Sequence, residues 1–257
     1  GKVLTPNADD NRFIIYRGAN FNPTFRVQDN KNNVTLSITG LPKGVADVTA
    51  SGNNDYNYTI PNNTVATDAP FGESTATVVA NDGRNTATYK FKYRVVDVQA
   101  KDTPKTVAIN STLDNAQNYL KVVDNNAGTE ASKYLPDGVT YKWFDSTTFG
   151  YAPNSTVLSE AGTISKYYAT VAFPQSNTVK KTIDNVEHTI YYPANAVRPV
   201  VFNVQDNVAP TVKLTNVTWN NTVEELKTDA NTSPMVTIFR GAKLNLPLSF
   251  YDNATTG

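Results

Sequence analysis

The sequence predicts an all-β protein built of tandem Ig-like β-sandwich modules. Three observations carry that prediction. Short apolar runs alternate with a two-residue period, clusters of Asn, Gly, Pro and Asp separate almost every pair of runs, and one run is repeated far along the chain.

The first strand-like runs are Arg12-Phe13-Ile14-Ile15-Tyr16, Asn33–Ile38 and Ser74–Val79, followed by Ala87–Val96. The last two straddle Asn81-Asp82-Gly83-Arg84, where Asp-Gly tolerates positive φ, so Thr75–Val96 is expected to form a β-hairpin. On its second strand Tyr89, Phe91, Tyr93 and Val95 fall on one side and Lys90, Lys92 and Arg94 on the other, as in a sheet with one packed and one wet face. From Asp97 to Asp206 the pattern continues. Leu135-Pro136-Asp137-Gly138 turns into Val139–Phe144, followed by Tyr167–Phe173, Lys180–Ile183, His188–Tyr192 and Val200–Val204. Leu113–Val123 fits either a short helix, through Leu113, Ala116, Leu120 and Val123, or a strand at Tyr119–Val123 behind a turn. The β-branched residues that close it favour the strand.

The repeat sets the organisation. Phe13–Asn30 (FIIYRGANFNPTFRVQDN) aligns without a gap with Val236–Asn253 (VTIFRGAKLNLPLSFYDN), 223 residues on. Arg17-Gly18-Ala19 matches Arg240-Gly241-Ala242, Asn22 matches Asn245, and Asp29-Asn30 matches Asp252-Asn253. Val-Gln-Asp-Asn also occurs at both Val27–Asn30 and Val204–Asn207. The expected modules are residues 1–98, Ig-like or cadherin-like and lacking a first strand; 99–208, a Rib-like or Ig-like sandwich; and 209–257, the beginning of a repeated module. About 47 residues bury too little surface for a full sandwich. The last segment is therefore expected to pack on a neighbouring module, to pack alone, or to donate strand Pro210–Leu214 to the first module, within the chain or as strand-swapped self-association.

Composition narrows the functions. With 23 Lys plus Arg against 23 Asp plus Glu, the chain has no general attraction to nucleic acid or to an anionic membrane. It has no Cys and one His, so thiol chemistry, disulfides and Cys/His zinc sites are excluded. No apolar stretch approaches membrane-spanning length, and Gly1-Lys2-Val3-Leu4 reads as mature sequence, as expected of an internal fragment whose targeting and anchoring segments lie elsewhere.

Leu135–Trp143 (LPDGVTYKW), Ala161-Gly162, Tyr167–Pro174 (YYATVAFP) and the run to Asp206-Asn207 together resemble the Rib-like modules of Gram-positive surface proteins. Two departures are Pro174-Gln175-Ser176-Asn177, where the family carries Pro-Asp-Gly, and a longer loop from Asp145 to Ser165. Leu41-Pro42-Lys43-Gly44-Val45 and the strands after it are similar to Ig-like or cadherin-like modules of staphylococcal and streptococcal adhesins, giant staphylococcal surface proteins among them. The resemblance implies an extracellular protein anchored to the bacterial cell wall. It would serve as a stalk or spacer, or as an adhesin for a host protein or glycan, with the neighbouring modules as its constant partners.

No catalytic residue is expected. His188 has no Cys or nucleophile-elbow Ser to work with, and Asp137, Asp145, Glu160 and Glu187 stand in no distinctive motif. Asp29, Asp97, Asp102 and Asp206 lie near module ends, where oxygen-rich junctions bind Ca²⁺ in cadherin-like arrays; the alternative is that Asp-Asn pairs there form turns. Arg17 and Arg240 are expected to fasten strands through carbonyls or the Asp of a turn. Of the pairs Tyr167-Tyr168 and Tyr191-Tyr192, one member each should be exposed. Phe149 and Tyr151, in the Asp145–Ser165 loop, are the candidate ligand-binding residues. The many Asn-x-Ser/Thr triplets read as wettable surface.

Overall fold

Asn81, Asp82 and Gly83 show how the turns set the strands. The Asp82 carboxylate accepts hydrogen bonds from the backbone N–H of Arg84 (2.7 Å) and Asn85, Asn81 accepts from Gly83, and Gly83 sits at φ +85°. The expected hairpin forms around this turn. The fold is that of a computed structural model, which describes residues 12–30, 33–61, 63–207, 209, 211–214, 216–219, 222–225, 240–241, 243–245 and 248–251.

The chain is all-β, and no α-helix occurs among the described residues. The first hundred residues hold β1 (Arg12–Tyr16), β2 (Thr24–Gln28), β3 (Val34–Thr39), β4 (Val48–Gly52), β5 (Asp55–Thr59), β6 (Gly72–Asn81) and β7 (Thr86–Ala100). Then come β8 (Lys105–Ala108), β9 (Leu120–Val123), β10 (Thr140–Asp145), β11 (Gly150–Ala152), β12 (Gly162–Ala172), β13 (Thr178–Ile183), β14 (Val186–Tyr191) and β15 (Asn195–Gln205). The last segment holds β16 (Thr211–Leu214), β17 (Asn216–Trp219), β18 (Thr222–Glu225), β19 (Leu244–Asn245) and β20 (Leu248–Tyr251). By contacts the chain divides into two compact units, one of residues 1–105, 113–156 and 165–201, the other of 106–112, 157–164 and 202–257.

In the first unit the main sheet runs β13-β14-β1-β7-β6-β3-β4, with β9 paired to the end of β7. β1 is parallel to both β7 and β14. Ile14, Ile15 and Tyr16 are all buried, which is why the apolar run there is continuous rather than alternating: a strand inside a sheet covered on both faces has no wet side. The β1–β14 pairing also joins strands from the stretches expected to be the first and second modules, and β7 runs past residue 98. The β13–β14 hairpin closes on Asp184-Asn185, both at positive φ, the form a two-residue turn needs to match strand twist. On β7, Phe91, Tyr93 and Val95 are buried and Lys90 is exposed, as the alternation required. Phe13, Phe21, Phe91 and Tyr191 meet edge to face or tilted, at centroid distances from 5.0 Å (Phe21–Tyr191) to 6.4 Å (Phe21–Phe91). Facing them, β2 and β5 pair as a separate two-stranded sheet.

The ambiguous stretch resolves as a short 3-10 turn, Ala116–Tyr119, capped by the Asn115 side chain and running straight into β9. The favoured strand reading therefore holds for Leu120–Val123. Trp143 is fully buried in the five-stranded sheet β11-β10-β12-β15-β8, and its indole N–H donates to the Asp114 carbonyl at 2.8 Å. Leu41–Val45 forms a turn with Gly44 at φ +94°, where an added Cβ would lie 2.5 Å from the Thr64 carbonyl oxygen; only glycine fits.

In the last segment β16 pairs antiparallel with β20, and β17 with β18 and β19. The strand the sequence offered for donation is thus engaged within its own segment. The two repeat copies share local structure where both are described: Gly18 and Gly241 lie at φ +78° and +86°, and β20 falls at the positions of β2. Val236–Phe239, Ala242 and Asp252-Asn253 lie outside the described residues.

Candidate functional site

The Asp145–Ala152 hairpin starts from a carboxylate. Asp145, at the end of β10, accepts hydrogen bonds from both the backbone N–H (2.8 Å) and the hydroxyl (2.6 Å) of Thr147, and these hold its carboxyl below the ordinary Asp value. The chain reverses, Asp145 pairs with Gly150 and Phe144 with Tyr151, and Phe149 is forced to φ +54°, a conformation a bulky residue rarely adopts. The ring of Phe149 is 83% exposed and that of Tyr151 68%, the two most exposed large apolar side chains among the described residues. Lys142 places its ammonium 4.8 Å from the Tyr151 ring centroid. Both residues marked in the sequence thus stand on one hairpin with a cation against one ring. Lys142 was not foreseen; its signal is its place one pleat before Phe144 on the same β10 strand. Such a surface can stack on the apolar face of a sugar or on an apolar side chain of a protein, and the ammonium can meet an acceptor beside it.

The four acidic candidates go separate ways. Asp97 is 9% exposed, and its carboxylate accepts from Arg198 Nη2 at 2.7 Å and from the Val98 N–H, with Arg17 Nη1 at 4.0 Å. Burial raises its pKa despite the two guanidiniums, which lower it. Arg17 in turn donates to the Ala69 carbonyl and lies 3.6 Å over the Phe71 ring, the strand-fastening role expected of it. Asp29 is half-buried on the chain leaving β2, where its N–H donates to the Asn54 carbonyl; Asp102 is exposed at φ +41°; Asp206 is exposed after β15. Among the described residues no three His, Cys, Asp or Glu side chains come together in a metal-binding group. Arg198, the main partner of Asp97, was not marked in the sequence, although a charged residue inside Ala196-Val197-Arg198-Pro199-Val200 is the signal that could have found it.

The carboxylates weighed for acid-base work are also dispersed: Asp137 pairs with Lys181 at 3.1 Å and Glu187 with Lys180 at 2.8 Å. The tyrosine pairs depart from expectation. Tyr167 is buried and Tyr168 half-buried, while Tyr191 and Tyr192 are both buried. β14 ends at Tyr191, so pleat alternation no longer governs Tyr192, which stacks on Phe173 (5.2 Å) and shares a 2.8 Å hydrogen bond with Ser176.

No family model and no curated protein matches the chain. Among solved structures it is similar to the N-terminal four Ig domains of Dscam1 isoform 1.9, at 10% identity and a TM-score of 0.25, covering 78% of this chain and 45% of that one. It is also similar to Sidekick-1 immunoglobulin domains 1–5, at 12% identity and a TM-score of 0.26, covering 84% of this chain and 43% of that one. A third similarity is to human protocadherin-24 EC1-2, at 13% identity and a TM-score of 0.24, covering 79% of this chain and 97% of that one. The chain spans less than half the length of the first two. Superposition this loose carries no functional argument.

Proposed function

We propose that the chain is a stalk or spacer segment of an extracellular surface protein, of the Ig-like and Rib-like kind found on Gram-positive cell walls. The observation that supports this best is the repeat: an 18-residue run recurs 223 residues on, with glycine left-handed in both copies and a strand at the same place after it. A chain that repeats a structural unit, and ties its charged groups to one another rather than aiming them into a cleft, is suited to span distance. The test is to display the segment between a wall anchor and a reporter binding domain. Doubling or deleting it should change the reporter's reach and leave the reporter's affinity alone. Binding of a host protein or glycan by the segment itself would overturn the reading.

The exposed hairpin favours a second reading, a direct adhesin contact through Phe149 and Tyr151. In that case Phe149→Ser and Tyr151→Ser would each abolish binding to a host protein or glycan array while leaving the melting temperature unchanged.

A further inference from the structure

The strand register puts a stripe of rings on one face of the five-stranded sheet. Phe144 of β10 stands opposite Tyr151 of β11 and opposite Tyr168 of β12. Directly opposed residues of an antiparallel pair share a face, so the three rings form one row across three strands. Trp143, Tyr167 and Ala169, which alternate with them, are buried on the other face. The row itself meets water: Tyr151 is 68% exposed, and Phe144 and Tyr168 are half-buried. Strands lie ~4.8 Å apart, so the row spans roughly 10 Å, enough for two consecutive sugar rings. Phe144 and Tyr168 pack edge to face at 6.3 Å, which holds both rings in place before any ligand arrives.

The charge on this face has one sign. Lys142 lies two residues before Phe144 and Lys166 two residues before Tyr168, and because β10 and β12 run antiparallel the lysines are rooted on opposite sides of the row. The Lys142 ammonium stands 4.8 Å from the Tyr151 ring centroid, and that of Lys166 stands 5.3 Å from the Tyr167 centroid. No Asp or Glu occupies this face on β10, β11 or β12; Asp145 belongs to the other face, nearly buried and closed off by Thr147. The chain as a whole is neutral, so the excess is local. At the turn of the same hairpin Phe149 is held at φ +54°, and backbone strained in this way gathers where ligands are held.

We propose that this face binds an acidic glycan of the host. Successive pyranose rings lie with their flat apolar faces on Tyr151, Phe144 and Tyr168, and a carboxylate or sulfate of the sugar meets Lys142, with Lys166 open to a second. A protein partner would seat its anchoring side chains in pockets, whereas a stripe standing on a sheet face gives the shallow contact that an extended sugar chain makes. The inference rests on the direct-contact reading of the hairpin and, where it holds, displaces the spacer reading.

The test uses the full chain, with each variant first shown to melt like the parent. Surface plasmon resonance follows binding to immobilised hyaluronan, which carries carboxylates, to heparin, which carries sulfates, and to neutral dextran. The expected result is binding to hyaluronan or heparin that weakens as salt rises, and none to dextran. Tyr151→Ser, Tyr168→Leu and Lys142→Glu should each weaken it several-fold; Tyr168→Leu keeps apolar bulk and loses the flat ring. Lys90→Glu, the same charge change at an exposed lysine of β7, should leave binding as it was. An equal loss in Lys90→Glu overturns the proposal, since net charge would then explain the binding. So does dextran bound as tightly as the acidic chains. An array of host proteins bound through Tyr151, with every polysaccharide failing, would overturn the glycan and keep the contact reading; binding of neither kind would overturn both.

Discussion

At Asp97 one carboxylate serves two guanidiniums from a nearly buried position, and its raised pKa shows that burial costs more than the pairing returns. Removing one partner exposes that imbalance. Arg198→Ala is expected to destabilise the protein by about 2 kcal/mol, short of the ~3–5 kcal/mol of a fully buried pair because Arg198 retains some solvent contact. Urea midpoints of the variant and parent at pH 7 check this, and an unchanged midpoint would show the pair to be idle. Tyr191 gives the pH prediction. Burial pushes its hydroxyl up to about 12, so between roughly pH 10 and pH 12 the folded chain keeps a proton that the unfolded chain has lost. Its stabilising share is complete below the unfolded value and disappears as pH rises through the folded one. The urea midpoint should therefore fall from pH 9 to pH 11.5, and Tyr191→Phe should fall less steeply.

Among the elements, β1 occupies the most consequential place. Its five residues pair with β7 on one side and the first four of them with β14 on the other, and its two isoleucines and Tyr16 are buried. Tyr16 also donates its hydroxyl to the Tyr134 carbonyl at 3.0 Å. Residues 1–98 expressed alone would leave one edge of β1 unpaired and Tyr16 without that acceptor. Such a fragment is expected to melt well below the full chain or to aggregate, as thermal scans with light scattering would record; a fragment melting with the full chain would show that the β13–β14 hairpin contributes little. The 3-10 turn before β9 has the opposite character. It is local, set by the Asn115 cap and the β-branched residues after it, and therefore legible from the sequence.

On the scale of the whole molecule, charge is balanced overall and is spent internally in pairs such as Arg94–Asp124 (2.8 Å), Lys101–Glu130 (3.2 Å) and Arg198–Asp97 (2.7 Å). With Asp97 already occupied by guanidiniums, calcium is not needed to neutralise it. Chelation with EGTA is expected to leave the melting temperature unchanged, and a drop of several degrees would bring back the junction ions expected from the sequence.

Strand periodicity, the Asp82-Gly83 hairpin and the exposed aromatics at Phe149 and Tyr151 were determined by the sequence alone, because each depends on residues within a few positions of one another, and the repeat was too, because it needs only the sequence compared with itself. The pairing of β1 with β14, the clasp of Asp97 by Arg198 and the burial of Tyr192 were decided only by tertiary structure. In each the partners are remote in sequence, 101 residues apart for Arg198 and Asp97. Local patterning says which face of a strand is apolar, but not which other strand will cover it, since hydrophobic burial is indifferent to the order in which its partners occur along the chain.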